Sequence, residues 1–197
     1  MTPPATLQPS DNALVLPGSF AADTTVAQLQ QRFGKANVSI AELPGAEGET
    51  ARGIELFAKD STRHAYVYFQ DERSLHGLSM VSVDGAGSRW TLDNGVRIGM
   101  TMAELVKRNA APIVFTGFDW DYGGYVSDWS NGKLAPEDSD PIARGVRLQV
   151  RLDSNGSTDG APSGDSEFRS DDPKYPGLGD RVEVGVISIS FPGEDDL

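Results

Sequence analysis

Two matching helix starts restrict the fold more than any other feature of the chain. Thr25-Val26-Ala27-Gln28-Leu29-Gln30-Gln31-Arg32 and Thr101-Met102-Ala103-Glu104-Leu105-Val106-Lys107-Arg108 stand 76 residues apart. They share Thr, Ala, Leu and Arg at equal positions, and Gln28 faces Glu104. Thr followed three residues later by Gln or Glu is a capping box, which satisfies two backbone donors that a helix start leaves unpaired. Met100 and Leu105 also occupy staple positions before and inside the second helix. The helices stop at Phe33-Gly34 and at Asn109-Ala110-Ala111-Pro112. Two or three turns are marginal alone, so each helix must lay an apolar face on a larger surface.

That surface is sheet. Strands are expected near Val38–Glu42, Gly53–Phe57, Ala65–Phe69 and Leu78–Val83, then near Ile113–Thr116, Gly124–Trp129, Val146–Leu152 and Val182–Phe191. Val146, Leu148, Val150 and Leu152 alternate with Arg147, Gln149 and Arg151, as in a strand with one covered and one solvated face. Leu78–Val83 matches Val184–Ile189, and both slip apolar phase at the same place, Met80-Val81 and Val186-Ile187. A shared slip predicts a bulge, or a strand with both faces partly covered, in each copy. The expected fold class is therefore α+β: two tandem copies of one short helix plus a roughly four-stranded antiparallel sheet. Residues 18–90 form the first copy and 91–197 the second, after a flexible leader over 1–17. Long acidic loops at 130–145 and 153–181 account for the greater length of the second copy.

Around Ile98-Gly99-Met100-Thr101 and Leu105 the chain resembles a helix-start motif, apolar-x-x-Gly-Met-Thr-x-x-x-apolar, of two related groups. These are the secreted, tandem-repeat β-lactamase inhibitor proteins and the small lipoproteins of outer-membrane assembly. The resemblance implies a helical element packed on antiparallel sheet and a protein of the cell envelope as partner. The inhibitors' cysteines have no counterpart here.

Composition narrows the function classes. Asp and Glu number 29 against 17 Lys and Arg, a net charge of −12. That balance argues against nucleic acid and against anionic membrane surfaces. No apolar run approaches the ~20 residues of a membrane span. Zero cysteines exclude disulfides and thiolate chemistry. The opening Met1-Thr2-Pro3-Pro4-Ala5-Thr6 is not a signal peptide. It reads as the leader that follows a removed signal or lipid anchor, placing the protein in the periplasm or outside the cell. A cytoplasmic protein with a frayed start is the alternative.

Chemistry is sparse. No P-loop, dinucleotide fingerprint or zinc spacing occurs, and no catalytic residue, metal ligand or cofactor is assigned. If their strands pair as a hairpin across the Asp71-Glu72-Arg73 turn, His64 and His76 are expected to approach each other, in a surface or strand-end role. Asp153-Ser154-Asn155-Gly156-Ser157-Thr158-Asp159-Gly160 has oxygen ligands at alternate positions, but Thr158 and Gly164 stand where an EF-hand needs Gly and Glu. The densest stretch is Phe115–Trp129, with 6 of the 16 aromatics. If Phe118–Tyr122 is extended, Phe118, Trp120 and Tyr122 share one face, and Asp119 and Asp121 the other. The expected contact surface is Asp119, Trp120, Asp121, Tyr122, Tyr125 and Trp129. The function expected is that of a non-catalytic exported interaction module, a binder or inhibitor of a cell-envelope protein. Two alternatives stay open: an envelope polysaccharide hydrolase or lyase using Asp119 and Asp121, and a carbohydrate- or calcium-binding module. A small-molecule ligand remains compatible with the sequence.

Overall fold

The computed structural model describes residues 14–45, 48–135, 147–153 and 160–191. Both capping boxes form. In α1 (Val26–Phe33) the Gln28 amide donates to Thr25 Oγ1 at 3.3 Å, and the Thr25 amide donates back to Gln28 Oε1 at 2.7 Å. In α2 (Met102–Asn109) the corresponding distances, through Thr101 and Glu104, are 3.2 and 3.1 Å. Each helix has 8 residues. Each ends on a left-handed or open residue, Gly34 at φ 87° and Ala110 at φ 59°. Leu29 and Phe33 of α1, and Met102 and Leu105 of α2, point into the core.

The strands are β1 (Val15–Leu16), β2 (Val38–Pro44), β3 (Thr50–Leu56), β4 (Ala65–Asp71), β5 (His76–Asp84) and β6 (Thr91–Leu92). After α2 come β7 (Val114–Thr116), β8 (Val126–Asp128), β9 (Arg147–Asp153), β10 (Glu167–Arg169) and β11 (Glu183–Ser190), with the short α3 (Leu178–Arg181) before β11. All eight expected strands are present. The fold is α+β with antiparallel sheets. One six-stranded sheet runs in the order β2-β3-β4-β5-β11-β9, so the strands of the two stretches join rather than closing separately. A three-stranded sheet, β10-β7-β8, continues beyond β9 through the Tyr125–Arg151 bridge.

The expected bulges form too. Opposite Tyr68 and Phe69 of β4, strand β5 presents Met80 and then Leu78, so Ser79 is the extra residue. In β11 the extra residue is Gly185, between Val184 and Val186. Each bulge turns the phase so that Val81 and Val83, and likewise Ile187 and Ile189, stay inside.

One face of the large sheet carries the core: Ile54, Leu56, Val67, Phe69, Val81, Val150, Leu152 and Ile187 are buried against the helices. Phe33 centres an aromatic cluster, 5.6 Å from Phe57, 6.0 Å from Phe20 and 6.1 Å from Trp90 between ring centres. The Trp90 indole N–H donates to the Arg63 carbonyl, so this large ring is buried without an orphan donor.

Three expectations need correction. The leader does not extend through residue 17, because Leu14 and Leu16 are buried and β1 pairs in parallel with β6. Two leucines flanking one valine bury enough apolar surface to order a short strand. The acidic stretch 153–181 is not a solvated loop from residue 160 onward. β10 pairs with β7, Phe168 stacks near Phe115 and Tyr175, and Leu178 is buried. Its few apolar residues anchor it despite the charge. The calcium-like run overlaps residues 154–159, which lie outside the described residues, as do residues 136–146 of the other loop. Finally, His64 and His76 sit at opposite ends of the β4–β5 hairpin, because His76 pairs with Asp71 while His64 precedes the far end of β4.

Candidate functional site

The second face of the large sheet is open. Register places Glu55, Tyr66, Ser82 and Ser188 in one row across β3, β4, β5 and β11. The next row toward one end holds Asp84, Val186, Arg151 and Tyr125. Toward the other end, Tyr68 stands opposite Met80. A groove of about 810 Å³ runs over these rows. Pro44, Gly45, Gly48 and Ala51 of the β2–β3 hairpin close one side, and Asp121, Tyr122 and Tyr125 close the other. Six strands at ~4.8 Å spacing make the span roughly 24 Å.

The tyrosines are held from below. The Tyr68 hydroxyl donates to the Pro44 carbonyl at 2.8 Å, and Ala51 lines the groove beside it. A Cβ on Gly53 would meet Leu43 Cδ1 at 2.5 Å and the Val67 carbonyl at 2.6 Å. Glycine is therefore required there by close approach rather than by its torsions. Tyr66 meets the His64 ring edge-on at 4.6 Å, and His64 Nε2 is 2.7 Å from Glu55 Oε1. Burial, then the Tyr66 ring and the Asp84 carboxylate, push the Tyr68 phenol up to about 12. Burial, Asp84 and Glu55 raise Tyr66 in the same direction. Asp84 thus brings negative charge to the floor of the groove. Arg151 lies in the same row as Asp84, beyond Val186, and it forms no ion pair among the described residues.

The far wall is a tight turn. Phe118–Tyr122 is not extended: Asp119 adopts φ 66° and the Gly123 amide donates to the Trp120 carbonyl. The expected sharing of one face by Phe118, Trp120 and Tyr122 therefore fails. Phe118 turns into the core, whereas Trp120 (37% exposed) and Tyr122 (57% exposed) face solvent with ring centres 5.5 Å apart. Thr116 holds the turn, donating from Oγ1 to the Tyr122 carbonyl at 2.6 Å and accepting from the Tyr125 amide at 3.0 Å. The Trp120 indole donates to Gly117, and Gly124 at φ 80° has its α-carbon against the Leu152 carbonyl. A loop pinned at this many points keeps its exposed rings in one orientation before any partner arrives.

Of the six residues expected from sequence, Asp121, Tyr122 and Tyr125 line the groove. Trp120 adjoins it through Tyr122. Asp119 is exposed on the turn but outside the groove lining, and among the described residues neither Asp119 nor Asp121 has a hydrogen-bond partner. Trp129 packs partly against the core, where its carbonyl accepts from the fully buried Asn109. Sequence reading missed Tyr66, Tyr68, Asp84 and Arg151. The signal was the outward phase of Ala65-Tyr66-Val67-Tyr68-Phe69, where tyrosine alternates with apolar core residues.

No helix of the described residues is long and apolar enough to cross a membrane. No family model, curated protein or solved structure matches the chain.

Proposed function

We propose that this chain is a non-catalytic, exported interaction module that binds a protein of the cell envelope through the open face of its sheet, in the manner of an inhibitor. One observation carries the reading: four of the five tyrosines, Tyr66, Tyr68, Tyr122 and Tyr125, line a single groove. Tyrosine offers a large contact area at low conformational-entropy cost and keeps a hydroxyl for polar contact, which suits a protein-binding face. The chain's charge of −12 favours a basic partner and an association rate that falls with salt.

The module reads as a duplication. In both stretches an eight-residue capped helix precedes antiparallel strands, and the bulges at Ser79 and Gly185 stand at equivalent places, 106 residues apart. The central pairing supports the same reading. Ser82 lies opposite Ser188, its own equivalent, and the register runs symmetrically outward from that pair. An approximate two-fold axis through Ser82–Ser188 relates β5 to β11. It also relates β4 to β9, so Tyr68, opposite Met80, answers Arg151, opposite Val186. Joining the two units in one sheet makes the open face wider than either unit's strands alone.

A photo-crosslinking side chain placed at Tyr122, and separately at Lys107 on the outer face of α2, tests the reading in an envelope extract. A basic protein captured from position 122, absent from position 107 and lost in 0.5 M salt (where the screening length is only ~4–5 Å) is the expected result. Equal capture from both positions, or none from the groove, overturns it.

A further inference from the structure

The large sheet ends differently at its two edges. β9 is covered, since the Leu152 amide donates to the Gly124 carbonyl at 2.8 Å and Arg151 bridges to Tyr125. β2, at the other edge, has no strand beside it among the described residues. Bonded and non-bonded pairs alternate along an antiparallel ladder. The bonds Phe57 N–H to Asn37 O and Gly45 N–H to Glu49 O bracket β2–β3, so Ser39, Ala41 and Leu43 turn their backbone groups toward β3. Val38, Ile40 and Glu42 therefore turn theirs outward. The Val38 amide is already used by Lys35, and Pro44 has no amide and gives its carbonyl to Tyr68. Ile40 and Glu42 remain, each with an outward N–H and C=O. Edges are commonly guarded by lysine, bulges or shortness. β2 has seven residues, no Lys or Arg, and Ile40 at 56% exposure.

The other end of the molecule shows such an edge filled. β7, like β2, is the first strand after a capped helix. Its outer edge takes β10 in antiparallel register, with Phe168 opposite Phe115 and flanking bonds Gly117 N–H to Ser166 O and Ser170 N–H to Ile113 O. Phe168 covers Phe115, which is fully buried, whereas Ile40 on the core face of β2 has no such cover.

We infer that the outer edge of β2 is a strand-addition site that takes an extended segment of a partner protein, antiparallel, with an apolar residue opposite Ile40 and a basic residue opposite Glu42. The pairing β10 makes with β7 is the pattern, and the acidic charge of Glu42 and of the whole chain selects the basic residue. A second copy of this chain fits less well, because two bodies of charge −12 repel. The site is separate from the tyrosine groove and stands without it.

The probe is the peptide acetyl-Thr-Lys-Thr-Ile-Thr-Val-Thr-amide, which places Ile opposite Ile40, Lys opposite Glu42 and Val opposite Val38. It is added to the full chain while amide exchange is followed by NMR. Saturable binding that slows the Ile40 and Glu42 amides, and leaves Ser39 and Ala41 unchanged, is expected. N-methylation of the peptide's central isoleucine should weaken binding about tenfold, the equivalent of one hydrogen bond. Ile40→Pro removes the outward amide together with the exposed isoleucine side chain and should abolish binding with the melting temperature kept. Should that variant unfold, the N-methyl peptide carries the same test, and Tyr122→Ala should bind the peptide as well as the parent. No protection at millimolar peptide, protection in the groove instead, or protection at Ile40 that rises with protein concentration alone would each overturn the proposal, the last by making a second copy the occupant.

Discussion

The two faces of the six-stranded sheet use the same backbone for opposite ends. On the core face, valine, isoleucine, leucine and phenylalanine pack to zero or near-zero exposure. On the open face the aromatic residue is tyrosine, beside serine, aspartate and arginine. Of the eight phenylalanines, seven are buried, and four of the five tyrosines line the groove. A single hydroxyl separates the two residue types. Burying a phenol without a partner costs about 1–3 kcal/mol, which is enough to keep it on the face where water or a partner's polar groups are available. Aromatic area devoted to stability is thus separated, strand by strand, from aromatic area left available for contact.

Substitutions on each face test that separation. Phe33→Ala removes the centre of the aromatic cluster and should cost about 3–5 kcal/mol, read by denaturant unfolding. A loss below about 1 kcal/mol would mean the core face does not hold the fold in the way described. Gly53→Val forces a side chain against Leu43 and the Val67 carbonyl and should cost about 1–3 kcal/mol. It is the one groove-side change expected to destabilise, because its neighbours are backbone and a packed leucine.

Thr25→Ala and Thr101→Ala should each cost about 1 kcal/mol. Their geometries are nearly equal, so clearly unequal losses would break the parallel between the helices. Alkaline titration followed by phenolate absorbance should show one tyrosine ionising near pH 12, and Tyr68→Phe should remove that late step. In the unfolded chain tyrosine ionises near 10. The raised folded value therefore contributes stability that is complete below pH ~10 and lost as pH rises toward 12. Tyr122→Ala is the smallest change in stability, within about 0.5 kcal/mol by thermal melting. The same change should weaken capture of the proposed envelope partner by about 2 kcal/mol, roughly thirtyfold. A variant that melts early while binding normally would put Tyr122 on the wrong side of the comparison.

Much of this architecture was legible in the chain. Both helix starts follow from Thr-x-x-Gln and Thr-x-x-Glu, and both bulges follow from the phase slips at Met80-Val81 and Val186-Ile187. These are local rules, in which residues within four positions satisfy each other's backbone groups or alternate between faces. Half of the residues singled out from sequence line the groove: Asp121, Tyr122 and Tyr125 sit in a conspicuous aromatic cluster. Trp129 shares that cluster but packs against the core, and no local pattern separates it from Tyr125. Phe118 and Trp120 were expected on one face, yet the left-handed turn at Asp119 sends them to opposite sides.

Sequence alone determined which residues start helices, which strands alternate and where their phase slips, because each depends on neighbours along the chain. Only the tertiary structure decided that β5 pairs with β11, that this pairing brings Tyr66 and Tyr68 across from Arg151 and Tyr125, and that β10 covers β7 while β2 stays open. Strand pairing joins residues about a hundred positions apart. Its register is selected by how the buried face packs as a whole, which no window of sequence contains.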